Sequence, residues 1–176
     1  MLAGLPASTE LVITEERDGT PPFAYSFTTG TEDVNLGTRL RLAPGFENIQ
    51  AAQAGVSLDD TKSQVRIAVS PSGSLGGLPD ATIAMSPASG DGPFYANTNN
   101  VFDPALTATT TSSVPTVFFN VEAGEVEVTA GPATLQCNSD VSQSPTWKSG
   151  WASSTPNSVR LAVIGGYFSS VRMYCE

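Results

Sequence analysis

Apolar and polar residues alternate over short stretches of this chain, and turn residues separate the stretches. Residues 10–14, Glu-Leu-Val-Ile-Thr, form a β-rich run, and Asp18-Gly19 behind it is a favoured hairpin dipeptide. Residues 23–27, Phe-Ala-Tyr-Ser-Phe, alternate aromatic with small side chains, which predicts a strand with one aromatic, buried face. Residues 38–42 alternate again, and Pro44-Gly45 closes this first block. Residues 46–57 are the best helix former, with Phe46, Ile49 and Ala52 or Gln53 on one stripe and Gly55 as the stop. Strands are predicted next at 64–70, 81–86, 114–121, 125–130, 133–137, 159–164 and 168–174. Pro115 belongs at a sheet edge or a strand start. Several short strands between Gly- and Pro-rich turns, without helices between them, predict an all-β chain: an antiparallel Ig- or transthyretin-like β-sandwich.

Two phrases repeat. Residues 4–16 and 120–131 each run from a turn through a small residue into an alternating strand, Glu-Leu-Val-Ile-Thr in one and Glu-Val-Glu-Val-Thr in the other. The second has a long strand-like stretch ahead of it, and the first has almost nothing. The predicted organisation is a partial β-domain over 1–45, the tail of a repeat; a helical connector over 46–62; and a complete β-sandwich over 63–176.

Composition narrows the function classes. Charged residues make up only 14% of the 176 residues, and Ser, Thr, Gly, Asn and Pro carry the polar role. The formal net charge is −9, and the eight Lys and Arg residues are scattered. This disfavours nucleic acid and anionic membranes as partners, since both need clustered positive charge. No run approaches the length of a membrane span. No signal peptide is visible at Met1, so export would require a targeting segment outside this chain.

There is no histidine, which removes the common hydrolase triads and most catalytic zinc sites. The close carboxylate pairs are Glu15-Glu16, Asp59-Asp60, and Glu125 with Glu127, the last two on one strand face opposite Val126 and Val128. Cys137 and Cys175, the two cysteines, lie in strand-like sequence; a disulfide is the favoured reading and buried free thiols the alternative. Asp91, Asn97, Asn99, Asn100 and Asp103 gather hard oxygen donors in one long loop, which suits either calcium or a polar loop held by Asx turns. Trp147 and Trp151 cover an open end of the sandwich or, with Phe94 and Tyr95, meet a ligand or partner. The Phe23, Tyr25 and Phe27 face needs a cover: a neighbouring copy, making it an assembly face, or the 46–57 helix as a lid.

Residues 78–85, Leu-Pro-Asp-Ala-Thr-Ile-Ala-Met, and 117–130, a strand, an Ala-Gly turn and an alternating strand, resemble phrases of carboxypeptidase regulatory-like domains. The 4–14 phrase is similar to the closing one. The resemblance covers 63–137 well and 4–42 in part. It implies a transthyretin-like, seven-stranded sandwich from secreted, myxobacteria-like proteins, with no catalytic residues of its own. The long loop over 87–113 and the extension after Cys137 depart from that pattern.

The resulting expectation is a non-catalytic, extracellular or cell-surface structural and interaction module, part of a bacterial surface or filamentous assembly. Its partners are other proteins or copies of itself, and it needs no cofactor unless calcium binds. The alternative is a carbohydrate- or calcium-binding sandwich module. An enzyme is not expected.

Overall fold

The computed structural model describes residues 6–30, 42–138 and 150–176, and shows two β-sheets around an apolar core. Eleven strands and one helix are described: β1 Glu10–Arg17, β2 Thr20–Thr28, α1 Phe46–Ala54, β3 Ser63–Pro71, β4 Thr82–Ser86, β5 Asp91–Phe94, β6 Thr116–Val121, β7 Gly124–Gly131, β8 Cys137–Asn138, β9 Trp151–Ala152, β10 Ser158–Val163 and β11 Phe168–Cys175. The larger sheet has the order β1-β2-β11-β3-β6-β5, with β8 also on β11. The smaller has the order β4-β7-β10-β9. The chain is therefore all-β and sandwich-like. Trp147, Lys148 and most of the 38–42 strand expectation lie outside the described residues.

The antiparallel expectation needs correction. β11 runs parallel to β3 over eight paired positions, from Phe168↔Gln64 to Cys175↔Pro71, and parallel to β2 at Phe168↔Phe23 and Ser169↔Ala24. The larger sheet is mixed because the last strand of the chain inserts between two early ones. β8 pairs the far end of β11, where the Cys137–Cys175 disulfide closes the pair. The sequence reading sets residues 1–45 apart as a partial domain, yet β1 and β2 are strands of this same sheet. The predicted strand at 133–137 shortens to β8, with a turn ahead of it in which Leu135 N–H bonds Pro132 O at 3.0 Å. Pro115 falls just before β6, where a missing N–H costs no ladder bond.

The inner faces interdigitate. Val65, Ile67 and Val69 of β3 and Val171 and Met173 of β11 meet Ile83, Val126, Val128, Val159 and Leu161 from the smaller sheet. The outer face of the larger sheet is also covered. Helix α1 lies over it, burying Gln50 and Ala51, with Ala51 in a cluster with Phe102, Val117 and Phe119. Gly55 ends the helix at φ 73, and the bonds Gly55 N–H to Ala52 O and Val56 N–H to Ala51 O complete a Schellman stop. The predicted apolar stripe is displaced, because Ile49 is 58% exposed.

Candidate functional site

The assembly face predicted at Phe23, Tyr25 and Phe27 is buried within the single chain. Phe23 stacks on Tyr25 at 5.8 Å and meets Phe168 at 5.4 Å, with Leu42 packed alongside. β11 supplies the cover by bringing Phe168 level with Phe23. A neighbouring copy is not needed there, and α1, packed on Val117 and Phe119, is not the lid foreseen. Trp151 is also inward: its indole N–H donates to Phe27 O at 3.2 Å, and the Arg160 guanidinium lies 5.8 Å from its ring centre. Tyr95 is buried, with its hydroxyl accepting from Ile83 N–H at 2.9 Å. Phe94 is half-buried against Phe119 at 5.7 Å. The described aromatics proposed as a stacking platform thus lie in the packing.

The oxygen-rich loop is occupied with its own backbone. Asn97 Oδ1 accepts from the N–H groups of Asn99 and Val101 at 2.9 and 3.3 Å, and Asp103 Oδ1 accepts from Ala105 N–H at 3.0 Å. Asn100, at φ 63, accepts from Ser112 Oγ at 2.8 Å. These are Asx-type turns. Asp91 is directed elsewhere, since its Oδ2 accepts from Asn120 Nδ2 at 2.7 Å. Among the described residues no three His, Cys, Asp or Glu side chains gather as a metal would need.

A site absent from the sequence reading forms at one end of the sandwich, and a β-bulge creates it. Between Ser63↔Val121 and Val65↔Phe118, two residues of β6, Phe119 and Asn120, oppose the single Gln64 of β3. Asn120 is left-handed at φ 54 and ties three segments together. Its Nδ2 donates to Ser57 O at 2.9 Å and to Asp91, and its Oδ1 accepts from Asp59 N–H at 2.9 Å. Gly90 passes close behind, where a Cβ would stand 2.2 Å from Phe119 O. Asp59 Oδ1 takes both the N–H and the hydroxyl of Thr61, which hold its carboxyl below the usual carboxylate range. Lys62 Nζ lies 2.5 Å from Glu122 Oε1, which pushes the lysine pKa up.

These loops enclose a cleft of about 170 Å³ with Pro21, Pro22, Leu58 and Phe168 as apolar lining. Glu47 of α1 and Gln64 also line it. Gln64 Oε1 and Glu47 Oε2 are both buried and have no hydrogen-bond partner. Arg66, beside Gln64 in sequence, is committed to Gln50 Oε1 at 2.7 Å; burial pushes its pKa down to about 10, with Glu47 acting against the fall. The arrangement offers acceptors and carboxylates and suits a donor. The sequence signals were Asp59-Asp60 and an Asn inside an apolar strand; only the bulge brings them together. Comparison of the chain with protein-family models, curated proteins and solved structures gives no match.

Proposed function

We propose that this chain is a non-catalytic structural and interaction module of a bacterial cell-surface or filamentous assembly, working outside the cytoplasm. The observation that carries the reading is the edge strand β1. It is eight residues long, and among the described residues only β2 pairs with it. The outer edge of such a strand offers backbone donors and acceptors to an incoming strand. Glu16 and Arg17 at its end restrain indiscriminate pairing, while Leu11, Val12 and Ile13 supply an apolar segment. Val12 is 36% exposed. The disulfide that holds the last strand supports an oxidising location. The carboxypeptidase regulatory-like resemblance supports the same kind of module. With Trp151 and Tyr95 turned inward, the carbohydrate alternative has no described platform to rest on.

The experiment is sedimentation velocity from micromolar to millimolar concentration, with wild type and Val12→Lys. The expected result is concentration-dependent association of wild type that the substitution abolishes. Stability should change by no more than about 0.5 kcal/mol, as for other exposed positions. A wild type that stays monomeric throughout would end the self-association reading.

A further inference from the structure

The end cleft holds two buried acceptors that the fold itself leaves unanswered. Gln64 is 6% exposed, yet its Oε1 has no partner, and neither does Oε2 of Glu47. Each buried acceptor without a donor is a standing cost to folding, so its retention calls for an explanation. Here both residues line one cleft. The only lysine there, Lys62, is engaged by Glu122, and the guanidinium of Arg66 by Gln50. Asp59 and Asp60 add carboxylates to the same lining.

We propose that this cleft binds a primary alkylammonium group, carried by a free amine or by a lysine side chain of a partner. An ammonium head has three donors and no acceptor, the complement of the acceptor oxygens that Gln64, Glu47, Asp59 and Asp60 bring to this lining. Its alkyl stem lies against Pro21, Pro22 and Phe168, as lysine stems lie along apolar surface elsewhere. The size fits: about 170 Å³ is room for several heavy atoms, given that a water takes about 30 Å³. A calcium ion fits less well, because it wants six or more oxygens around it, whereas Asp59 Oδ1 is taken by Thr61, Asn120 is committed to Ser57, Asp59 and Asp91, and the lining includes the lysine Lys62. Tyr167 of the lining bonds Glu16 at the end of β1, but the proposal does not rest on the assembly reading.

The test is titration of the folded chain, followed by amide NMR shifts, with butylamine and with Nα-acetyl-lysine methylamide. The uncharged norleucine analogue and calcium serve as controls. Saturable, millimolar binding of the charged probes is expected, with shifts confined to Glu47, Asn120 and residues 58–64 and 164–168. Tighter binding of the lysine probe than of butylamine assigns a partner's lysine; equal binding assigns a free amine. Gln64→Leu and Glu47→Gln should each weaken binding about tenfold or more, the loss of one charge-assisted hydrogen bond. Glu47→Gln is nearly isosteric and keeps the comparison open if Gln64→Leu misfolds. No saturable shift, equal binding of the norleucine analogue, or unchanged affinity in folded variants would each overturn the proposal. So would calcium binding at these residues in place of the amines.

Discussion

The two faces of the larger sheet solve burial in opposite ways. On the inner face, Val65, Ile67, Val69, Val171 and Met173 meet the smaller sheet with no polar group among them. On the outer face β3 presents Gln64, Arg66 and Ser70, all buried: Arg66 bonds Gln50 of α1, Gln64 lies at the Phe168 end of the sheet, and Ser70 takes a bond from Arg172 at the other end. A dry apolar face gains free energy in proportion to area and is indifferent to partner identity. A buried polar face is stable only where each group is answered, so one missing partner matters. The inner face therefore gives the sandwich its stability, and the outer face is where unanswered groups can be kept for a ligand.

The sharpest way to break that comparison is a cavity on the inner side. Ile67 is fully buried between the sheets. Ile67→Ala should cost roughly 2–5 kcal/mol in urea unfolding, with the spread set by how far neighbours collapse. Removal of the disulfide comes next. Cys137→Ala with Cys175→Ala opens a loop of 38 residues and should cost about 3–4 kcal/mol by the loop-entropy estimate. It also frees β8 from the end of β11. An unfolding midpoint unchanged by reductant would show that the strand pairing alone holds that end.

The outer face should respond more weakly and non-additively. Arg66→Met removes a buried guanidinium but strands Gln50 Oε1, at a cost of about 1–3 kcal/mol. The guanidinium stays charged at neutral pH, since burial lowers its pKa only to about 10. Adding Gln50→Leu should recover part of that loss, because the apolar pair removes the stranded acceptor, although Glu47 still loses the positive charge beside it. Additive losses in the double mutant would mean that the two side chains do not act as a unit.

These faces also explain what was legible in the sequence. The run Gln-Val-Arg-Ile-Ala-Val-Ser over 64–70 read as a strand, which located β3 but said nothing of what covers Gln64 and Arg66. Alternation reports which residues avoid water; it cannot report that a helix later covers the other side. The hairpin at Asp18-Gly19 was legible because its turn needs a positive φ, and Gly19 takes φ 75 without a Cβ penalty. The insertion of β11 between β2 and β3 was not, because a long-range parallel pairing leaves no local mark. β5 was hidden by Gly92 and Pro93, which read as a turn. The end cleft depends on a bulge, so Asn120 in an apolar run carried no sign of its three contacts.

Helix α1 offers the smallest effect and the finest discrimination. Its sequence stripe of Phe46, Ile49 and Ala52 or Gln53 would place Ile49 against the sheet. The buried residues are instead Gln50 and Ala51, one and two positions further on, because the helix must turn Gln50 toward Arg66 and fit small side chains over Val117 and Phe119. Ile49 is left in solvent. Ile49→Lys should therefore change stability by no more than about 0.5 kcal/mol, the range of exposed positions, and substitution by a good helix former works slightly in its favour. Ala51→Lys, two residues away, would have to desolvate its charge against Phe119 and should cost several times more. Chemical denaturation of the two variants side by side reads out which face of the helix is turned inward. A loss above about 1 kcal/mol at Ile49 would rotate the helix back to the stripe, and with it remove Gln50 from Arg66 and reopen the buried polar face.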